Sequence, residues 1–169
     1  PDGFSAARRQ DLPGWGAVSA LCCDLDDDGR ADLILVNSSH NTPSRNPGSY
    51  IYRNSDRGFP PEPTWILDTD LAHGASCADI DRDGYLELIF GGHLSPEILI
   101  FHGGPDGYDA ENPERIRMEY EGEVYDSSLW IYLADLNNDG WLDLVVPQSR
   151  TDRSLILWGG PEGFGMDRA

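Results

Sequence analysis

A nine-residue acidic loop occurs three times in this chain, and its spacing limits what the chain can fold into. The copies, here called loops 1, 2 and 3, read Asp24-Leu-Asp-Asp-Asp-Gly-Arg-Ala-Asp32, Asp79-Ile-Asp-Arg-Asp-Gly-Tyr-Leu-Glu87 and Asp135-Leu-Asn-Asn-Asp-Gly-Trp-Leu-Asp143. Their first residues are separated by 55 and then 56 positions. A fixed period of this length indicates a repeat architecture, in which each repeat is one supersecondary unit.

Alternate positions of each loop carry oxygen atoms, a pattern typical of a cation-binding turn. Side chains at positions 1, 3, 5 and 9 and the carbonyl at position 7 turn inward around a Gly at position 6, which tolerates positive φ. Ca²⁺ takes about six to eight such oxygens, whereas Mg²⁺ keeps several waters. Zn²⁺ is not expected, because the loops contain no Cys or His. The predicted ligands at three calcium sites are Asp24, Asp26, Asp28, Arg30, Asp32, Asp79, Asp81, Asp83, Tyr85, Glu87, Asp135, Asn137, Asp139, Trp141 and Asp143.

Two other interpretations of the loops have to be weighed. An EF-hand needs a Glu at position 12 between two helices, but position 12 is Leu35, Phe90 or Val146. The residues that follow each loop are short apolar runs rich in β-branched residues, which favour strands over helices. A metal-free Asp-Gly turn remains an alternative, since both residues favour turns.

The composition is strongly acidic and excludes several classes of partner. Asp and Glu total 30 against 12 Lys and Arg, which gives a formal charge of −18. Such a surface disfavours nucleic acids and anionic membranes. The sequence also lacks the roughly 18 consecutive apolar residues of a transmembrane helix. Without metal, the clustered carboxylates should repel one another and loosen the loops.

The strand pattern recurs with the loops. The predicted strands before the loops are Ala17–Cys23, Ala72–Ala78 and Ser128–Ala134. Apolar runs follow the loops at Leu33–Val36, Leu86–Phe90 and Leu142–Val146, and the predicted third strands are Tyr50–Arg53, Glu97–Phe101 and Ser154–Trp158. Turn signals then end in Phe59, Tyr108 and Phe164, where we expect a fourth strand to begin. Four short strands in each repeat of this length are typical of a β-propeller blade.

The three loops and the Gly-Phe or Gly-Tyr turns together resemble FG-GAP/VCBS-type repeats, the family that builds the calcium-bearing propeller of integrin α subunits. The resemblance covers nearly the whole chain. It implies an all-β fold of three four-stranded antiparallel β-propeller blades forming a partial, open propeller, each blade with a DxDxDG calcium loop. Loop 2 departs from the pattern with Glu87 at position 9, and loop 3 with Asn137 at position 3. Since Asn137 removes one negative charge, we expect loop 3 to bind calcium most weakly.

The repeat phase predicts a single repeat domain over residues 1–169. Residues 1–12 would form the fourth strand of a preceding or neighbouring blade, followed by blade 1 at 13–68, blade 2 at 69–124 and blade 3 at 125–169, which lacks its last strand. Unpaired strand edges at both ends are adhesive. Either further blades of a longer propeller or other copies of the chain would pair with them, the latter by head-to-tail strand complementation in a ring or filament.

The remaining candidate sites are weaker. The three cysteines are interpreted as small buried apolar residues on strands. Asn37 begins an N-glycosylation sequon. Tyr120, Tyr125 and Trp130 surround the acidic stretch Glu119–Glu123, where a carbohydrate could stack. No nucleophile elbow, zinc-protease helix or glycine-rich phosphate loop is present.

The sequence therefore predicts a non-catalytic, extracellular or cell-surface, calcium-stabilised structural or adhesion module. The extracellular prediction rests on calcium loops of modest affinity, which suit millimolar calcium. Two alternatives remain: a carbohydrate-binding, lectin-like propeller, and an accessory domain of a secreted hydrolase or lyase. Neither nucleic-acid binding nor membrane insertion is expected.

Overall fold

The fold is taken from a computed structural model that describes residues 4–38, 46–69 and 71–169. Within these residues there is no α-helix, and no helix could span a membrane. Two 3-10 helices lie at Ala6–Arg8 and Met166–Arg168. The strands are β1 (Ala17–Cys23), β2 (Asp32–Asn37), β3 (Ser49–Tyr52), β4 (Trp65–Leu67), β5 (Ala72–Ala78), β6 (Glu87–Gly92), β7 (Glu97–Phe101), β8 (Glu114–Arg117), β9 (Glu119–Tyr120), β10 (Glu123–Val124), β11 (Tyr132–Ala134), β12 (Asp143–Val146) and β13 (Leu155–Leu157).

These strands form four antiparallel sheets. Sheet 1 has the order β1-β2-β3-β4, sheet 2 the order β5-β6-β7-β8, and sheet 3 the order β11-β12-β13, while β9 and β10 form a separate hairpin. The first hairpin of each large sheet encloses one acidic loop. The all-β prediction is confirmed, and the arrangement is consistent with open propeller-like blades.

The register repeats around the loops. Position 9 pairs with the residue just before the loop in every case, as Cys23 with Asp32, Ala78 with Glu87, and Ala134 with Asp143. The first strand of sheet 3 begins at Tyr132 rather than at Ser128. The Ser127 amide donates to the side chain of Gln148, and the Ser128 hydroxyl accepts from it.

The expected starting points of the fourth strands are wrong. β4 and β8 begin at Trp65 and Glu114, several residues beyond Phe59 and Tyr108. Tyr108 instead packs edge-on against Trp65, with ring centroids 5.9 Å apart, and its Oη donates to the Leu86 carbonyl at 2.9 Å. Burial raises the pKa of Tyr108, so the hydroxyl keeps the proton that it donates. These contacts anchor the turn rather than start a strand.

The core consists of two apolar layers on either side of sheet 2. Successive residues of β6 point in opposite directions: Leu88 packs toward sheet 1 and Ile89 toward sheet 3. Every residue of β6 is buried. Full burial of one such aliphatic side chain stabilises a fold by roughly 1.5–3 kcal/mol. Sheet 2 is therefore the centre of the stack.

The N-terminal segment lies against sheet 1. Tyr52 Oη donates to the Pro13 carbonyl at 2.7 Å, and Gln10 Nε2 donates to the Phe59 carbonyl at 2.8 Å. None of residues 4–16 forms a strand here, and residues 1–3 lie outside the described part. Completion of another blade by residues 1–12 stays a prediction.

The interpretation of the cysteines as simple apolar residues is wrong for two of them. Cys23 on β1 and Cys77 on β5 form a disulfide that links the first strands of sheets 1 and 2, while Cys22 is free and exposed. Because Cys23 and Cys77 stand at different positions relative to their loops, aligning the repeats did not pair them.

Candidate cation-binding loops

The backbone curls in the same way in all three loops. Position 4 adopts a left-handed conformation, with φ of 56° at Asp27, 66° at Arg82 and 60° at Asn138. The Gly at position 6 is also left-handed, with φ between 83° and 94°. At Gly84 an added Cβ would meet no atom within 4 Å, so conformation rather than space favours glycine there. The tight backbone turn around the Gly is therefore present in all three loops.

Hydrogen bonds within each loop hold the carboxylates of positions 1 and 5. The position-6 amide donates to Oδ2 of position 1 at 2.8, 3.1 and 3.0 Å in loops 1, 2 and 3. The position-7 amide donates to Oδ1 of position 5 at 2.9, 2.8 and 2.8 Å. Each carboxylate still has unused lone pairs, which leaves acceptor capacity for a cation.

Position 9 has a role that the sequence did not reveal. Asp32, Glu87 and Asp143 are at most 1% exposed. Each carboxylate accepts one amide from position 2 of its own loop and one from the segment after the third strand. The position-2 donors are Leu25, Ile80 and Leu136, each at 2.9 Å, and the others are Asn54 at 2.7 Å, Gly103 at 3.3 Å and Gly159 at 2.9 Å. The position-9 carboxylate therefore ties the loop to its sheet.

Two buried oxygens in the loops lack a hydrogen-bond partner. They are Oδ1 of Asp79 and Oδ1 of Asp135, the position-1 residues of loops 2 and 3. In loop 1 the equivalent oxygen of Asp24 accepts the Asp28 amide at 3.0 Å. Leaving a buried carboxylate oxygen unpaired is costly, so these atoms fit a site built for a cation.

The side chains cluster differently among the loops. Ligand atoms lie within 4.8 Å of one another in three groups: Asp24, Asp26 and Asp32; Asp79, Asp81 and Asp83; and Asp81, Glu87 and His102. Loop 3, with Asn137 at position 3, forms no such group of acidic, His or Cys side chains within the part of the chain that the structure describes.

Arginines change the electrostatics of loop 1. Arg53 contacts the Asp26 carboxylate, and Arg30 pairs with Asp28 at 2.7 Å and with Asp56 at 3.0 Å. These cations offset part of the negative charge that would attract a metal. Arg53, which comes just after β3, was not among the predicted site residues.

Another arginine joins loop 2 to loop 3. The Arg82 guanidinium lies 3.8 Å from the centroid of the Trp141 ring and donates to the Gly140 carbonyl. Such cation–π contacts contribute about 0.5–2 kcal/mol, depending on exposure. Arg82 thus links loops 2 and 3 through direct contacts.

Burial raises the pKa of the Glu87 carboxyl, and the nearby Asp81 charge adds to the shift, while amides of Ile80 and Gly103 and the neighbouring His102 oppose it. A carboxyl with a raised pKa binds its proton more tightly in the folded than in the unfolded state. It therefore lowers stability as the pH rises from its ordinary pKa through the raised one. This cost applies when no cation offsets the charge.

We expect wild-type protein in chelator to lose more stability than Glu87→Gln when the pH rises from about 4 to about 7, a range that begins near the ordinary pKa of Glu. Gln cannot ionise, so its profile lacks this contribution. Urea denaturation at each pH measures the difference. Parallel profiles for the two proteins would show that the pKa of Glu87 is not raised in the folded state.

A cleft of about 660 Å³ lies between loops 1 and 2. Its walls include Asp26, Arg53, Trp65, Tyr85 and Tyr108. Aromatic faces beside charged groups are a combination suited to polar organic ligands such as sugars.

Two predicted surface sites conflict with the structure. The Asn37 side chain is fully buried, and its Nδ2 donates to the Gly48 carbonyl at 2.8 Å. A glycan on that nitrogen would have to break this contact, so the fold argues against use of the sequon, whose Ser39 lies outside the described residues. In the aromatic group near Glu119–Glu123, Tyr125 is fully buried and cannot stack on a sugar, although Trp130 is exposed.

Consecutive antiparallel sheets, each with an acidic, glycine-containing loop in its first hairpin, define a β-repeat protein. Residues 24–90, from the start of loop 1 through β6, match the FG-GAP-like repeat family. This match confirms the resemblance to FG-GAP-type, integrin-like repeats noted in the sequence.

Two integrin chains are among its relatives. The chain is 24% identical over 172 residues to integrin alpha-5 of Xenopus laevis, and the match covers 90% of this chain and 16% of that protein. It is 24% identical over 149 residues to human integrin alpha-IIb, covering 84% of this chain and 12% of the relative. The chain thus spans a small part of the curated relatives it matches.

Proposed function

We propose that this chain is a non-catalytic, calcium-stabilised structural or adhesion module that acts outside the cell. The buried, unpartnered Oδ1 atoms of Asp79 and Asp135 are the observation that carries the proposal. Ca²⁺ would be held by the oxygens at positions 1, 3, 5, 7 and 9 of each loop. A bound ion would satisfy those atoms and cross-link the loop to its hairpin.

Two further observations support this proposal. The integrin-like repeats favour an adhesion or scaffolding role over catalysis. The disulfide between Cys23 and Cys77 favours an oxidising compartment, because thiols of cytosolic proteins are kept reduced. This second argument does not depend on calcium affinity.

The larger assembly is also a proposal. The three large sheets would be three propeller blades, which is fewer than the four to eight blades of closed propellers. Further blades or other copies of the chain would then pack against the outer faces of sheets 1 and 3. Particle size in calcium and in chelator would separate a calcium-held assembly from a lone chain.

Replacing Asp139 by Ala tests the calcium assignment. Asp139 is exposed at position 5 of loop 3, so water can replace the hydrogen bonds that it accepts from Trp141 and Asn137, and its removal costs little in the absence of a cation. We expect a loss of about 1–3 kcal/mol in millimolar calcium, the stabilisation given by a ligand at roughly ten to a hundred times its Kd, and almost no loss in chelator. Denaturation curves in the two conditions measure this split.

Asp152→Ala is a suitable control for that experiment, since Asp152 is an exposed carboxylate outside the loops. It should behave like the wild type in both conditions. An equal loss for Asp139→Ala with and without calcium would defeat the ligand assignment.

A carbohydrate-binding function is the second candidate, and the cleft beside Trp65 and Tyr85 favours it. It differs from the first proposal in requiring a discrete ligand. Saturable binding of the full chain to defined glycans on an array would support it, and the absence of binding would leave the structural role.

A further inference from the structure

The residue that follows the third strand differs in chemistry among the repeats. It comes directly after Tyr52, Phe101 and Leu157, which occupy equivalent registers opposite Leu33, Leu88 and Leu144. In the first repeat this residue is Arg53, which contacts loop 1. In the third it is Trp158, whose ring offers no metal ligand. In the second it is His102, an imidazole.

His102 lies against the carboxylates of loop 2. Its Nδ1 is 3.8 Å from Oδ2 of Asp81 and 3.9 Å from Oε1 of Glu87. One ligand atom from each of the three residues lies within 4.8 Å of the others. Two ligands that are each about 2.0–2.2 Å from one ion can be at most roughly 4.4 Å apart, so both histidine distances are compatible with a shared ion.

The other nitrogen of His102 is already oriented. Nε2 lies 2.9 Å from Oε2 of Glu114. A carboxylate that holds one imidazole nitrogen while the other faces a metal is the arrangement that fixes the ring and raises its basicity as a ligand. Glu114 is at the start of β8, so sheet 2 and its connecting loops supply the ligand residues and this supporting residue.

Loop 2 offers a second observation that points to a cation. Oδ1 of Asp79 is buried without a partner, and Glu87 is fully buried close to Asp81. Both observations indicate that a positive charge in loop 2 would be stabilising. An imidazole ligand suits first-row transition metals, whereas Ca²⁺ takes oxygen ligands.

We propose that loop 2 is a mixed nitrogen–oxygen site that binds a divalent transition metal, with Zn²⁺ as its representative, through Asp81, Glu87 and His102. The inference rests on the proposed cation-binding role of the loops and changes the preference of one of them. Zn²⁺ and Ca²⁺ compete there for the same two carboxylates. Loops 1 and 3 have no histidine in this place and keep an oxygen-only ligand set.

Calorimetric titration of Zn²⁺ into the chelator-stripped full chain at about pH 7.5, where imidazole is mostly neutral, tests the proposal. All proteins carry Cys22→Ala, so the exposed thiol cannot bind the metal. His102→Gln should weaken zinc binding about tenfold or more, and Glu114→Gln should weaken it about tenfold, as outer partners of metal-bound histidines do.

His93→Gln is the matched control. His73 and His93 lie with ring centroids 5.7 Å apart and are the alternative histidine pair for zinc. The proposal predicts unchanged binding in His93→Gln. It is overturned if His102→Gln binds zinc like the wild type or if His93→Gln loses the binding.

The outcome is separable from that of the calcium proposal, which is tested at Asp139 in loop 3. Zinc binding that depends on His102 without any calcium stabilisation would leave the mixed site standing and remove the calcium role. Calcium stabilisation together with zinc binding that does not depend on His102 would leave the calcium role standing and remove the mixed site.

Discussion

Asp143→Ala is expected to destabilise the protein by about 2–4 kcal/mol in chelator and by more in calcium, where a proposed ligand is lost as well. The carboxylate is fully buried and accepts the amides of Leu136 and Gly159. Alanine would leave both donors without a partner, at roughly 1–3 kcal/mol for each buried one. A loss of this size is a large part of the 5–15 kcal/mol that stabilises an ordinary domain.

A comparison with Asp139→Ala separates the anchoring role of position 9 from cation binding. Both residues were assigned to the same cation site from the sequence, yet only Asp143 ties the loop to its sheet. Urea denaturation of both variants with and without calcium should show a loss in both conditions for Asp143→Ala and a calcium-dependent loss for Asp139→Ala. Identical behaviour of the two variants would contradict the separate anchoring role of position 9.

Cys77→Ala is expected to lower stability by about 4 kcal/mol under oxidising conditions. The disulfide joins residues 54 positions apart, and closing a loop of that length removes roughly this much free energy from the unfolded state in the chain-entropy model. Guanidinium denaturation with and without reductant measures the effect, and reductant should bring the wild type close to the variant.

Cys22→Ala is the control for that experiment, because Cys22 is exposed and free. It should leave the denaturation midpoint unchanged. Thiol titration of the unfolded wild type should find one reactive cysteine of the three. Three reactive thiols in carefully oxidised protein would show that Cys23 and Cys77 are not bonded.

The sequence predicted local structure around the loops well, for a physical reason. Gly29, Gly84 and Gly140 and the alternating acids are local signals, and so are the apolar runs of β2, β6 and β12 that follow them. A chain with these signals has few alternatives to a tight turn between paired strands. The all-β class and the position of each loop in a hairpin followed directly.

What the sequence could not predict depends on neighbours distant in the chain. The Cys23–Cys77 disulfide joins different repeat positions, and the burial of Asn37 depends on its hydrogen bond with Gly48. Arg53 and His102 reach the loops from the ends of third strands. The one available signal was the change from Arg to His at equivalent repeat positions, which becomes meaningful only once the register places both side chains beside carboxylates.

The two-sided burial of β6 has a consequence for how the molecule comes apart. Sheet 2 shares one apolar layer with sheet 1 and the other with sheet 3, so it has no face adapted to water. In a linear stack, stability is approximately a sum of the units and the interfaces between neighbours. Opening either interface exposes a face of sheet 2, and partial opening near loop 2 should therefore create the most protease-sensitive and aggregation-prone form of the chain.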